Sequence, residues 1–218
     1  MPQSIDFLPI ILAGVTVTIK LTICGGLLAT FVAFAIGFAR LSNTAWLHIP
    51  ARLFMEFFRG SSGFVQLFWA YFVLPIFGIS LTPFEAGVLI LGLGGGAYMS
   101  EIVRGAMLAL PLEQFEACIA LNLGRWQRLR YVLLPQALPL MIPPFSNSAV
   151  ELLKATSLVS VVSVSDITFR AQTVRTQTGD AAIPFITILI IYFVLAAILS
   201  SLMRLAERRL KPTSKASN

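Results

Sequence analysis

"LTICGGLLATFVAFAIGFA", residues Leu21–Ala39, contains no charged side chain over its whole length. A run of about 18 or more apolar residues is long enough to cross the hydrocarbon core of a bilayer as a helix. A helix can lie in lipid because it satisfies its own backbone hydrogen bonds. The stretch therefore predicts a membrane-spanning helix and indicates that the chain is an integral membrane protein.

Four further apolar runs predict four more spans. Three are free of charge and the fourth is shorter, continuing past one acid and one arginine to Leu110: Gly60–Phe84, Tyr131–Val150, Ala181–Met203 and Ala86–Ser100. None of these runs alternates strictly between apolar and polar residues, as a strand of a membrane β-barrel does, so helices are expected. The predicted fold is an all-α membrane bundle, one domain over residues 1–218, with five transmembrane helices at about 10–39, 60–80, 84–108, 135–156 and 182–203.

Composition supports this class. Hydrophobic residues make up 57% of the chain, charged residues 12%, and the mean hydropathy is +0.85. Soluble domains carry roughly 25% charged residues. No Lys or Arg precedes Lys20, so the start lacks the basic region of a secretory signal, and we expect the first span to be retained.

Basic residues predict the orientation, because Lys and Arg near span ends mark the cytoplasmic side. With five spans, twelve of the sixteen basic residues fall on one side of the membrane: Arg40, Arg52, Arg59, Arg104, Arg125, Arg128, Arg130, Arg204, Arg208, Arg209, Lys211 and Lys215. The N-terminus is then outside and the C-terminus cytoplasmic. This topology accounts for the net charge of +6 without a nucleic-acid partner.

The sequence lacks the motifs that nucleotide binding, metal binding and catalysis would require. The chain has no G-x-x-x-x-G-K-[ST] loop, so ATP would have to be bound by another chain. Cys24 and Cys118 fall in a span and in a loop without metal-ligand spacing, and the one histidine, His48, lies in a connector. We therefore predict a protein that is not an enzyme, with no catalytic residue, metal or cofactor of its own.

The connector "EACIALNLGRWQRLRYVLLPQA", Glu116–Ala137, predicts two short cytoplasmic helices. The first runs over Leu112–Leu121 and ends at Asn122, a residue type that tolerates the left-handed conformation. The second runs over Arg125–Leu134, until Pro135 opens the next span. Helix–stop–helix in a cytoplasmic loop is consistent with a docking surface for a partner, and equally with an ordinary positive-inside loop.

This connector resembles the EAA loop of ABC importer membrane subunits, whose pattern is E-A-A-x-x-x-G. The polar amino acid branch of that family is similar over nearly the whole chain, in "FMEFFRGSSGFVQLF" (Phe54–Phe68), "GAYMSEIVRG" (Gly96–Gly105), "LPQALP" (Leu134–Pro139) and "LLKATSLVS" (Leu152–Ser160). Two departures stand out. Asn122 replaces the loop glycine, and Ser148 stands where many amino-acid carriers of the branch place Glu.

The resemblance implies a permease subunit of an ATP-driven, binding-protein-dependent importer in the bacterial cytoplasmic membrane. Expected partners are a second membrane subunit, two ATPase subunits that hold Mg-ATP, an extracytoplasmic binding protein, and a small polar solute such as an amino acid or ectoine. Coupling to the ATPases is expected in the loop 112–134, at Glu116, Ala117, Cys118, Asn122, Gly124, Arg125 and Trp126.

Polar residues at membrane depth are candidates for the solute pathway, because such residues are rare in lipid. The fourth predicted span supplies Asn147, Ser148, Glu151 and Lys154, and the third adds Tyr98. A Glu151–Lys154 pair is either a structural bridge or a contact for a zwitterion. Without the branch's extra carboxylate at Ser148, a zwitterionic or neutral solute is favoured over a cation.

Two other functions are also consistent with the sequence. A secondary transporter would show an internal repeat, and none is evident. A non-transporting scaffold subunit would not need the polar residues of the fourth span. Small residues at Ala29, Ala33 and Gly37, and at Gly92, Gly96 and Ser100, each lie on one helix face, where they serve tight packing, sliding motion or both.

Overall fold

A computed structural model describes residues 7–210, and every regular element among them is a helix. The all-α prediction is confirmed. The first half of this range forms five helices: α1 (Leu8–Leu12), α2 (Val15–Arg40), α3 (Ala45–Gly60), α4 (Gly63–Phe68) and α5 (Pro83–Leu108). Between α4 and α5, the chain makes a π-helical turn at Trp69–Val73 and a 3₁₀ turn at Leu74–Phe77.

The second half forms five more helices: α6 (Leu112–Ala120), α7 (Arg125–Gln127), α8 (Leu134–Ala155), α9 (Ile167–Thr178) and α10 (Ala182–Leu210). A π-helical stretch, Arg128–Leu133, joins α7 to α8. A 3₁₀ stretch, Thr156–Val162, extends α8 toward α9.

Three helical segments are by themselves long and apolar enough to cross a membrane: Leu8–Arg40, Pro83–Leu108 and Ala182–Arg208. Two further pairs each make one more span if a bent pair counts as one. Ala45–Gly60 meets Gly63–Phe77 at 104°, and Arg125–Val162 meets Ile167–Thr178 at 48°. The described residues thus allow three to five crossings, and the predicted five is the upper value.

Helix α3 differs from the prediction, which started the second span at Gly60 and left the preceding residues as a connector. The chain is already helical from Ala45, with Arg52 Nε 2.7 Å from Glu56 Oε1 on its surface. Charge-free runs cannot reveal such a helix, because its charged residues lie along one face. The helix ends where Ser61 adopts an extended backbone, at φ −113° and ψ 153°.

Helices α2 and α5 form the most extensive helix pair, and small side chains let their backbones approach. Ala29 and Ala33 are fully buried. A Cβ built on Gly96 would lie 2.6 Å from the Cβ of Val32 and 2.9 Å from the carbonyl oxygen of Ala29. The small-residue faces predicted on these two spans therefore pack against one another, as expected where helices associate closely in lipid.

A buried polar network joins α2 to two further helices, α9 and α10. The Asp166 carboxylate is fully buried and caps α9 by accepting from the Phe169 N–H at 2.9 Å. Its other oxygen accepts from the Tyr192 hydroxyl of α10 at 3.3 Å, and Thr18 of α2 accepts from the Ile167 N–H at 3.4 Å. The network ties α2, α9 and α10 together.

We expect Gly96→Ala to destabilise the protein, because the added methyl must separate α2 from α5. Overpacking of this kind costs about 1–3 kcal/mol. Gly105→Ala is the matched control, since a Cβ there meets no described atom within 4 Å and alanine favours a helix. Unfolding curves in mixed detergent micelles measure both. Equal midpoints for Gly96→Ala and wild type would contradict the packing described here.

Candidate functional site

A cavity of about 490 Å³ lies between α4, α5 and α8. Its wall is mostly apolar, with a few convergent polar groups, which is the usual make-up of a small-molecule site. Four of the five predicted pathway residues line it: Tyr98, Asn147, Ser148 and Glu151. The fold therefore brings one residue of α5 together with three of α8.

Helix α8 carries these polar groups although it contains three prolines after its first turn, at Pro139, Pro143 and Pro144. Proline removes backbone donors and leaves carbonyls of the preceding turn without their usual partner. Two serine hydroxyls bond to other carbonyls of the same helix, one turn before each serine. Ser146 Oγ donates to the Ile142 carbonyl at 2.9 Å, and Ser148 Oγ donates to the Pro144 carbonyl at 3.1 Å.

The predicted Glu151–Lys154 pair forms, with Lys154 Nζ 2.9 Å from Glu151 Oε1. Glu151 lines the cavity, whereas Lys154 lies outside the cavity wall. The two side chains are 73% and 56% exposed in the single chain. Exposed ion pairs contribute little to stability, so this pair can exchange partners at small cost.

One polar cavity residue of α4 was not predicted from the sequence as a pathway residue. Gln66 is 8% exposed, and its Nε2 donates to Ser61 Oγ at 2.6 Å and to the Phe58 carbonyl at 3.3 Å. Gln66 is the one side-chain amide in the charge-free run Gly60–Phe84. The same reasoning that selected polar residues of the fourth span would have found it.

An arginine cluster lies beside the Tyr98 end of the cavity. The Arg59 guanidinium carbon is 5.6 Å from the centre of the Tyr98 ring, within cation–π range. The same Arg59 and two other arginines approach a single carboxylate, that of Glu101, at 3.5 Å from Arg59, 2.9 Å from Arg40 and 3.8 Å from Arg104.

Arg40 is the buried member of this cluster, with a side chain only 8% exposed. Its Nη1 is close to Glu101, but the geometry is that of an ion pair without an aligned hydrogen bond, and its Nε has no hydrogen-bond partner among the described residues. Removing one partner of a buried pair leaves an uncompensated charge. Glu101 therefore holds the ends of α2, α3 and α5 together.

The loop 112–134 has the predicted stop at its centre. Asn122 adopts the left-handed conformation, with φ 53°, immediately after Leu121, the C-cap residue of α6. Its N–H donates to the Ile119 carbonyl at 2.9 Å, and the Leu123 N–H donates to the Cys118 carbonyl at 3.0 Å. These two bonds form a Schellman motif, which ends the helix and satisfies its last carbonyls.

The second predicted short helix does not stand alone. Residues Arg125–Val162 form one helical path, in which the π-helical stretch carries the chain through Pro135. Pro135 lies in the first turn of α8, in agreement with the prediction that it opens the next span, but the chain is already helical before it, so no break separates the two elements. The loop is therefore directly continuous with α8, whose residues line the cavity.

The predicted coupling residues differ in their exposure to solvent. Cys118 is 2% exposed, whereas the other six are all exposed: Glu116, Ala117, Asn122, Gly124, Arg125 and Trp126. Ile119, Leu121 and Trp126 are 60%, 72% and 66% exposed. The loop thus presents apolar side chains that a partner could cover.

These features describe a helical protein with three to five candidate membrane spans and a cavity of the size of a small molecule. Comparison with known proteins places the chain in a family. Residues 23–212 match the family described as binding-protein-dependent transport system inner membrane component. The chain belongs to this family and is a permease subunit of an ABC importer. This membership favours ATP-driven import over a secondary transporter or a scaffold.

Among curated relatives, the probable amino-acid ABC transporter permease protein y4tF of Sinorhizobium fredii is 43% identical over 93% of this chain and 87% of its own. The L-cystine transport system permease protein TcyB of Bacillus subtilis is 34% identical, covering 94% and 88%. The glutamine transport system permease protein GlnP of Escherichia coli is 33% identical, covering 94% of both chains.

Solved structures agree with the fold. A crystal structure of an amino acid ABC transporter with histidines superposes with a TM-score of 0.86 at 31% identity, over 94% of this chain and 96% of that one. An inward-facing MetNI methionine ABC transporter superposes at 0.82 with 20% identity, over 96% and 100% of the two chains. The second likeness concerns the fold alone.

Proposed function

We propose that this permease imports a small amino acid or a related zwitterion through the cavity between α4, α5 and α8. The observation that carries the proposal is the convergence of Tyr98, Asn147, Ser148 and Glu151 on that one cavity. Its partners would be a second permease subunit, two separate ATPase subunits that bind Mg-ATP, and an extracytoplasmic binding protein. The chain itself would bind no cofactor.

We propose five spans, with the N-terminus outside and the C-terminus in the cytoplasm, in the bacterial inner membrane. Each bent helix pair would count as one span. The basic residues support this orientation, since twelve of sixteen then lie on the cytoplasmic side. In this arrangement the loop 112–134 faces the cytoplasm.

A topology reporter fused after Asn218 is expected to behave as cytoplasmic, and one inserted at Thr178 as external. Positive charge near the span ends gives the physical reason, because basic loops are retained on the cytoplasmic side. Alkaline phosphatase and a fluorescent protein make a complementary pair of reporters. The opposite pattern would rule out the proposed orientation.

Charge supports a solute without net charge. Ser148 adds no carboxylate to the cavity, and the charge of Glu151 is paired with that of Lys154. The ammonium group of a zwitterion can pair with Glu151 in the cavity while its carboxylate is attracted by Lys154, whose Nζ lies 2.9 Å from Glu151, whereas a cation would be repelled by Lys154. Relatives agree with this solute class, since TcyB is named for L-cystine and GlnP for glutamine, and both amino acids are zwitterions.

We expect Glu151→Gln to reduce import at least tenfold while the protein assembles normally. The carboxylate is lost from the cavity, but an exposed pair contributes only about 0–1 kcal/mol to stability. Uptake of labelled glutamine into proteoliposomes with the cognate binding protein and ATPase, alongside labelled cystine, measures the effect.

Glu56→Gln is the matched control, because it breaks another exposed ion pair, Arg52–Glu56, away from the cavity. Its uptake should equal that of wild type. Normal uptake by Glu151→Gln would make the pair structural, and a preference for arginine or lysine would overturn the charge argument.

The loop 112–134 would transmit ATPase movement to the cavity. Its inner face is anchored, since Phe115 and Leu129 pack on the buried core around Leu133. Gln136 Nε2 of α8 also donates to Gln114 Oε1 at 3.2 Å, which links the loop to the helix. A rigid connection of this kind is what mechanical coupling requires.

We expect Ala117→Pro to uncouple the complex. Proline removes a backbone donor and clashes within α6, at a cost of about 3 kcal/mol of local helix stability. Co-purification of the ATPase subunits with a tagged permease should fall, while the permease still inserts in the membrane. Ala117→Ser keeps the backbone donor and serves as control. Undiminished co-purification and transport by Ala117→Pro would rule out the coupling role.

A further inference from the structure

We propose that Gln66 presents its side-chain oxygen to the solute cavity as a fixed acceptor for the ammonium N–H groups of an amino acid. With this acceptor the permease selects amino acids over zwitterions whose nitrogen is fully methylated and carries no N–H. The inference rests on the proposed function, because it concerns the solute that enters the cavity between α4, α5 and α8.

The neighbours of Gln66 determine which way its amide faces. Three acceptors surround Nε2: Ser61 Oγ at 2.6 Å, the Phe58 carbonyl at 3.3 Å and the Ser61 carbonyl at 3.5 Å. The Ser61 hydroxyl donates its own hydrogen to the Phe57 carbonyl at 2.6 Å, so it can only accept from Gln66. A flipped amide would place an oxygen against these acceptors. Nε2 therefore faces Ser61, and Oε1 lies on the other side of the amide.

Gln66 Oε1 is an acceptor that the protein leaves unused. It has no hydrogen-bond partner among the described residues, although the residue is only 8% exposed. Within residues 7–210, only Arg40 has side-chain atoms that are both unpartnered and closed off from solvent, so Oε1 remains accessible. Gln66 lines the cavity, which gives this oxygen its accessible space. An acceptor in such a place is costly unless a ligand or water satisfies it.

An ammonium group is the donor that this oxygen suits. It carries three N–H groups, and each of them needs an acceptor once the cavity excludes water. The Glu151 carboxylate supplies the opposite charge in the same cavity, and Gln66 Oε1 supplies a further acceptor.

Asn147 also lines the cavity, but its amide is not fixed. Its side chain is exposed and makes no hydrogen bond with another described residue, so it can turn either its oxygen or its nitrogen to a solute. The amide of Gln66 is held in one orientation before the solute arrives, which lowers the entropic cost of binding. Gln66 is therefore the pre-organised neutral acceptor of the cavity.

A nitrogen without N–H groups finds little in this cavity. Quaternary ammonium groups are bound by cages of several aromatic faces. Among the described residues that line the cavity, only Phe58 and Tyr98 are aromatic. The Arg59 guanidinium carbon already lies 5.6 Å from the centre of the Tyr98 ring. A trimethylated nitrogen would meet that positive charge at the ring and would leave Gln66 Oε1 without a donor.

Two substitutions remove the acceptor with little change in volume. Gln66→Met keeps an unbranched side chain of similar length, and Gln66→Leu fills the same mostly apolar wall with a branched one. Gln172→Met is the matched control, because Gln172 is half-buried on α9 and lies outside the cavity wall.

Binding to the complete permease–ATPase complex in nanodiscs, without the binding protein, tests the proposal. Leaving out the binding protein ensures that the measured selectivity is that of the membrane subunits. Ligand-observed NMR first identifies the standard amino acid that wild type binds most tightly. The dissociation constants of that amino acid and of its N,N,N-trimethyl form are then measured for each variant. The two compounds share one side chain and one carboxylate and differ at the nitrogen.

We expect wild type and Gln172→Met to bind the amino acid about tenfold or more tightly than its trimethyl form, as a hydrogen bond to a charged donor allows. In Gln66→Met and Gln66→Leu this ratio should fall to about threefold or less, because only the amino acid loses an acceptor.

An unchanged ratio in both Gln66 variants would overturn the role of Gln66 and leave the proposed function intact. Equal weakening of the two compounds would also overturn it, because Gln66 would then support the structure or contact another part of the solute. If wild type bound no amino acid at all, the proposed function would fail, and this inference with it.

Discussion

Gly96 brings the backbone of α5 against that of α2, and no other residue type leaves enough room there. The Cβ of any larger residue would lie within 3 Å of the Ala29 carbonyl oxygen. In lipid there is little hydrophobic gain from pairing two apolar helices, so close backbone contact has to supply the attraction. Gly96 and Ala29 therefore hold together the helix pair on which the other elements are arranged.

The α2–α5 pair positions the cavity because α5 contacts α2 on one face and lines the cavity on another. One face packs on α2, while Gly94 and Tyr98 on another face line the cavity between α4, α5 and α8. Near the end of the same helix, Glu101 gathers three arginines and fixes the start of α2's connection to α3. Movement of α8 relative to α5 would change the cavity without disturbing the α2–α5 contact.

The loop 112–134 is continuous with α8, so movement of the loop would be transmitted to the cavity-lining residues of that helix. The Schellman motif at Asn122 fixes the turn, and the helical path that follows runs from Arg125 to the residues that face the cavity. A force applied to the exposed side chains around Trp126 would thus reach Ser148 along one continuous helical segment.

The sequence predicted structural features correctly at positions where a single physical reason explains the residue type. Polar residues at membrane depth predicted four residues that line one cavity, and Asn122 predicted the left-handed turn. It failed where elements depend on tertiary context. Helix α3 carries charges along one face and so escapes a search for apolar runs. The continuity through Pro135 depends on a π-helical stretch, for which the sequence has no signal. The polar character of Gln66 was visible in the sequence, but its place in the same cavity as Asn147 depends on long-range packing.

Accessibility of a single cysteine in the solute cavity tests the central claim most directly. Ser148→Cys, with Cys24→Ser and Cys118→Ala to remove the native thiols, would be treated with a membrane-impermeant thiol reagent in the assembled importer. The account predicts that the side of the membrane from which the introduced thiol reacts changes with the nucleotide state, and that bound amino acid slows the reaction. Reaction from one side only, in every nucleotide state and at a rate that the amino acid does not change, would contradict it.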